Sequence, residues 1–171
     1  MRSWRFQAPD KRAGPILVRQ SQTDSPMPTM LAELQQLLDG TRPPPPIATL
    51  IGFSLTAISP GEVVVEFTAG RQHANPMGTL HGGILCDIAD AAMGMAYART
   101  LAEGETFTTL ELKINYLRPV WTGQLRAVGR IVKRGNTVGL VECDITDEQQ
   151  RLVARASSTC MTLRGEEARG R

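Results

Sequence analysis

The sequence predicts an α+β domain in which an antiparallel sheet wraps around one long central helix, with a short helix ahead of it. Three observations carry this reading. Residues 84–102 are mostly apolar, and carboxylates interrupt them only at Asp87 and Asp90. A polar, glycine-rich stretch, Asn75-Pro76-Met77-Gly78-Thr79-Leu80-His81-Gly82-Gly83, runs directly into that helix. The segments on either side are rich in β-branched residues or alternate in polarity, as strands do.

The elements follow in order. Residues 1–27 are polar, aperiodic and proline-punctuated, and read as a flexible tail. Residues 28–164 are expected to form the domain, and 165–171 a charged, frayed end. Met30, Leu31, Leu34, Leu37 and Leu38 make a helical stripe over residues 29–39, which Gly40 ends. Prolines 43–46 then act as a stiff spacer. Residues 47–55 and 61–69 are expected to pair as a hairpin around Ser59-Pro60-Gly61. After the central helix, residues 106–117 alternate, with Leu110, Leu112, Ile114 and Tyr116 on one face and Glu111, Lys113 and Asn115 on the other. That parity places Thr109 with Glu111 on the polar face. Strands over residues 123–133, 137–146 and 152–163 complete the sheet, the last with Ala154, Ala156, Ser158 and Cys160 on one side.

Bulk composition narrows the function. At 171 residues the chain suits one domain with a real core. Its 19 Lys/Arg against 17 Asp/Glu, a net charge of +2, argue against nucleic acid or an anionic membrane as the main partner. Nothing resembles a secretory signal or a membrane span. Cys86, Cys143 and Cys160 are few, odd in number and widely spaced, and read as free thiols of a reducing, cytoplasmic setting. With two His and no CxxC, a metal site is not expected, nor is a cofactor.

The chemistry concentrates around the central helix. Its apolar positions cover most of the circumference, so near-complete burial is expected, and burying Asp87 and Asp90 is costly unless both are satisfied. Three positions apart, they share a face. Such a carboxylate is a candidate base or nucleophile; equally, it can bond a neighbouring turn or a subunit interface. Gly82 and Gly83 at the helix start offer exposed N–H groups and the positive end of the macrodipole to an anion or a polarised carbonyl, or simply form a tight turn.

Together, Asn75-x-x-Gly78-x-x-His81-Gly82-Gly83 and Ile88-Ala89-Asp90 closely resemble the signature of hotdog-fold acyl-CoA thioesterases of the PaaI-like branch. The resemblance extends over roughly residues 31–163 and includes 108–119, Thr-Thr-Leu-Glu-Leu-Lys-Ile-Asn-Tyr-Leu-Arg-Pro. It implies hydrolysis of acyl- or aroyl-CoA thioesters, with Asp90 as general base or nucleophile and the Gly82 amide, with Gly83, as donor to the thioester oxygen. By the same resemblance Asn75 positions the water or thioester, His81 assists at the carbonyl or holds the loop, and Thr109 stands near the attacking water. Asp87 receives no role. Arg118, Arg130, Lys133 and Arg134 are basic candidates for the CoA phosphates, although each also reads as a solvated strand-end charge.

Asp90 lies about 10–12 Å along the axis from the helix-start glycines at ~1.5 Å per residue, too far for one helix to supply both the oxyanion amide and the base. A homodimer or homotetramer with shared sites is therefore expected. The rival readings are a non-catalytic acyl-CoA-binding hotdog protein and a hotdog dehydratase or hydratase.

Overall fold

A computed structural model describes residues 29–169. The tail expected at residues 1–27 lies outside the described residues. The elements are α1 (Met30–Leu38), α2 (Pro46–Ile51), β1 (Phe53–Ser59), β2 (Glu62–Ala69), α3 (Gly82–Ala98), β3 (Thr106–Tyr116), β4 (Gly123–Arg134), β5 (Val138–Asp147) and β6 (Leu152–Leu163). Two 3-10 turns complete this set, Arg71–His73 between β2 and α3 and Gly165–Ala168 after β6. The six strands form one antiparallel sheet in the order β1-β2-β4-β5-β6-β3, with α3 packed chiefly on β4, β2 and β5. The predicted α+β class, with a sheet around a long helix and a short helix before it, is what the chain adopts.

Small residues set how close helix and sheet come. Ala89, Ala92 and Ala96 on α3 are fully or nearly fully buried. Across from them β4 carries Gly129, where a Cβ would collide with the Ala92 backbone. This close approach leaves room for larger groups further along: Ile88, Met93 and Tyr97 are completely enclosed, with Phe67, Val141, Ile145 and Val153 from the sheet. Tyr97 satisfies its hydroxyl on Thr162 at 2.8 Å, so its burial leaves no polar atom stranded. Ala154, Ala156, Ser158 and Cys160 form the predicted small, buried face of β6.

Four expectations change. Residues 47–55 are not one strand. Pro46 stands at the first turn of α2 with its φ already helical, and Gly52 ends that helix in the left-handed region at φ +90°. The strand begins only at Phe53. Helix α3 starts two residues earlier than expected, because His81 caps it, and ends at Ala98 rather than 102. There Thr100 donates its hydroxyl to Tyr97 O at 2.7 Å and closes the last turn.

The third change is at α3's outer face. Leu85, Ile88, Ala89, Ala92, Met93 and Ala96 are buried against the sheet, but Asp87 and Asp90 are exposed. One sheet covers one side of a helix, so within a single chain the carboxylates keep their water. The fourth lies in β3, whose pairing with β6 slips between Thr109 and Glu111. Leu110 is the bulged residue and is 52% exposed. Ser158 holds the irregularity by donating to Glu111 O at 2.7 Å. Because a bulge shifts the alternation by one, Thr109 joins the α3-facing side instead of sharing a face with Glu111.

Candidate active site

The outer face of α3 forms the floor of a cleft of about 670 Å³, roofed by α1 and prolines 43–46. Asp87, Asp90 and Thr109 supply polar groups to it, and Phe53, Phe107 and Met95 supply apolar walls. The proline run is therefore a wall of the cleft as well as a spacer. α1 is placed to serve as roof because Thr29 caps its start, its side chain accepting from Ala32 N at 3.3 Å, and Leu34 anchors it in the core.

Asp90 sits on this floor with the Thr109 hydroxyl donating to its Oδ1 at 3.2 Å. The bulge in β3 brings that hydroxyl to the helix. Its second carboxylate oxygen accepts no hydrogen bond among the described residues, and Asp90 lines the cleft. Asp87, one helical turn back, lines the same cleft. Partial burial and the neighbouring Asp90 charge hold its carboxyl above the usual carboxylate range, with His81 opposing them.

The start of α3 is organised by its own side chains. His81 Nδ1 accepts from Gly83 N at 3.0 Å. In the neutral ring the proton is therefore on Nε2, turned outward as a donor. A Cβ on Gly83 would stand 2.9 Å from that Nδ1, so the cap requires glycine there. The Gly83 amide is thereby occupied, whereas the Gly82 N–H makes no hydrogen bond among the described residues. Of the two predicted oxyanion donors, Gly82 is the one left available.

Asn75 spends its side chain on its own loop, accepting from Met77 N at 2.9 Å and donating to Thr79 Oγ1 at 2.9 Å. Its main chain closes the same loop through Thr79 O, and Gly78 turns it at φ +84°. Asn75 shapes the approach to α3, and one of its amide hydrogens remains uncommitted.

Tyr116 was not singled out from sequence. Past the bulge it shares the α3-facing side with Leu112 and Ile114, and its hydroxyl donates to Gly82 O at 3.2 Å. With that proton committed, the phenol oxygen accepts from the Cys86 thiol at 3.2 Å. The Cys86 contact and burial push the phenol up to about 12, so it stays a neutral donor. The available signal was its parity with Leu112 and Ile114, read alongside the adjacent glycines.

The basic candidates separate. Arg118 is exposed in the β3–β4 connection. Arg134 is engaged elsewhere: its Nε donates to Thr100 Oγ1 at 3.0 Å, its guanidinium stacks 4.8 Å from the Tyr97 ring, and Glu105 stands 3.9 Å away. Those contacts tie Arg134 to the C-terminal end of α3, opposite the glycines. Arg130 is paired with Glu62 and Asp144. Among the described residues no three His, Cys, Asp or Glu side chains converge as metal ligands, and no helix is long and apolar enough to cross a membrane.

Comparison with known proteins agrees with this fold. The thioesterase superfamily pattern matches residues 77–154, which include Gly82, Asp90, Thr109 and Tyr116. A phenylacetic acid degradation-related protein from Ralstonia eutropha JMP134 is 32% identical, with a TM-score of 0.69 over 75% of this chain and 98% of that one. Human acyl-coenzyme A thioesterase 13 is 28% identical over 108 residues, 62% of this chain and 76% of its own. The Escherichia coli PaaI protein, at 24% identity, shares the fold with a TM-score of 0.69 over 80% of this chain and 97% of that one. The chain belongs to the thioesterase superfamily and has its hotdog fold.

Proposed function

We propose that this protein hydrolyses acyl- or aroyl-CoA thioesters to free acid and CoA, at sites shared between two copies of the chain. The observation that carries the reading is the separation of two complementary half-sites on one helix. Asp90, oriented by Thr109, opens onto the cleft. The Gly82 N–H, without a partner among the described residues, lies eight residues back at the positive end of α3. At ~1.5 Å per residue the two are about 12 Å apart along the axis, so each is completed by the other's counterpart on a second chain.

In such a site the Gly82 amide of one chain receives the thioester oxygen and stabilises the charge that develops on it. His81, the residue before it, keeps its Nε2–H as a candidate second donor. Asp90 of the other chain takes the proton from an attacking water, or attacks the carbonyl itself. The thiolate departs readily at neutral pH, so no strong general acid is required of the site. Asn75 shapes the loop and Tyr116 fixes the Gly82 peptide. Arg118, exposed just beyond the edge strand, remains the basic candidate for a CoA phosphate. β3 lies at the sheet edge with exposed Leu110, Tyr116 and Leu117, a surface suited to the second copy. The free thiols suit a reducing compartment such as the cytoplasm.

Thiol release from short-, medium- and long-chain acyl-CoA and from phenylacetyl-CoA tests this reading, with Asp90→Asn alongside. Turnover that collapses in the variant is expected. Tight CoA-ester binding without turnover would indicate an acyl-CoA-binding protein instead.

A further inference from the structure

We propose, resting on the reading above, that the cleft under α1 receives a straight-chain fatty acyl group of about eight to ten carbons, with its thioester end at Asp90. The floor is a single stripe of α3: Ala91, Gly94, Met95 and Ala98 follow Asp87 and Asp90 at three- and four-residue intervals and all line the cleft. From Asp90 to Ala98 the stripe runs about 12 Å at ~1.5 Å per residue, the reach of roughly eight to ten carbons of an extended chain. Three of its four positions are small residues, and at Gly94 even a Cβ would stand 3.2 Å from the Phe107 ring. Gly94 is thus kept small by the Phe107 ring that packs over it, and Ala91 and Ala98 keep the rest of the floor low along the helix.

Polar groups are distributed to match such a chain. Asp87, Asp90 and Thr109 sit at the reacting end. The other charged residues of the lining, Glu33 and Arg42, are closed on one another at 2.7 Å. The remaining wall is apolar and includes Leu34 and Leu37 of α1, the prolines, Phe53 and Phe107. Its side chains offer no hydrogen-bonding partner to a ring hydroxyl or heteroatom, and an alkyl chain needs none. An aryl group one or two atoms from the carbonyl would stop well short of Ala98 and leave most of this apolar wall wet.

Titration calorimetry with non-hydrolysable S-butyl-, S-decyl- and S-phenethyl-CoA tests the assignment without depending on turnover. S-decyl-CoA is expected to bind at least about tenfold tighter than either of the others. Met95→Trp, which fills the far half of the stripe, should remove most of that advantage, and Ala91→Leu should do the same if the tryptophan variant fails to fold. Equal or tighter binding of the phenethyl compound would overturn the proposal, as would an undiminished decyl preference in both variants. Decyl preference without hydrolysis of any thioester would keep the cleft assignment and remove the catalytic reading. Hydrolysis of acyl-CoAs with no decyl preference would do the reverse.

Discussion

On the sheet face turned away from α3, Asp144 accepts from Arg155 at 2.6 and 2.8 Å, and Arg130 bridges Asp144 and Glu62. On the outer face of α3, Asp87 and Asp90 face the cleft, and the Thr109 hydroxyl is the one side-chain donor to reach Asp90 among the described residues. The first pair of carboxylates is neutralised in place, and the Arg155 hydrogen bond holds Asp144 below the usual carboxylate range. In the second pair, Asp87 is held above that range by burial and by its neighbour. Paired charge serves the fold, whereas two like charges left facing a cleft cost stability and are available for chemistry. Substitutions on the two faces should therefore fail in opposite ways.

The largest effect is expected at Asp90. Asp90→Asn should lower kcat by roughly 10²- to 10⁴-fold, the range for loss of a general base, while the melting temperature holds or rises. Activity within twofold of wild type would break the comparison at its centre. Thr109→Val should cost roughly tenfold in kcat by releasing the Asp90 carboxylate, with Thr109→Ser restoring most of it. Equal losses in both variants would mean that the methyl group, rather than the hydroxyl, matters.

Asp144→Ala should leave kcat unchanged and cost about 1 kcal/mol of stability at neutral pH in denaturant titrations. Its folded carboxyl is held low, so this contribution is present above the ordinary value of 3.8 and fades as the pH falls through the lower, folded value. The smallest effect has the opposite sign. The folded Asp87 carboxyl is raised, so ionisation there disfavours the folded chain. Asp87→Asn should then stabilise slightly at neutral pH, by less than about 1 kcal/mol for so exposed a group. That gain should disappear below the ordinary carboxylate range, where both states are protonated. A variant that destabilises at neutral pH would show that Asp87 has a partner after all.

Much of this organisation was legible in the chain. The apolar run with two interior carboxylates located α3, and the glycine-rich stretch before it located the capped start. Three features were not legible, each for a physical reason. The segment 47–55 contains β-branched Ile47, Thr49 and Ile51, and its helix is set by Pro46 and Gly52 more than by propensity. The bulge at Leu110 interrupts an alternation that looks unbroken in sequence, because the extra residue is apolar and simply turns to solvent. The apolar girth of α3 suggested burial all round, yet one sheet reaches only one side, and the remaining stripe of Ala91, Gly94 and Met95 lines a cleft. The parts that Tyr116 and the proline run play around the site were hidden for the same reason. Their contacts, with Gly82 and with the outer face of α3, join parts of the chain far apart in sequence.

The central claim is that Asp90 and the Gly82 amide serve one reaction from two different chains. Gly82→Pro deletes that amide at the first helical position, where proline is tolerated. Gly82→Ala is its control, keeping the N–H while sharing the crowding against the Tyr116 ring, 3.0 Å from a Cβ there. The Asp90→Asn and Gly82→Pro chains, each inactive alone, should be unfolded together, refolded as a mixture and assayed for thiol release. In a random mixture half the dimers carry one chain of each kind, and each of those has one intact site. Recovery to about a quarter of wild-type activity is the predicted result. Mixtures as inactive as either parent, despite verified exchange of chains, would contradict it.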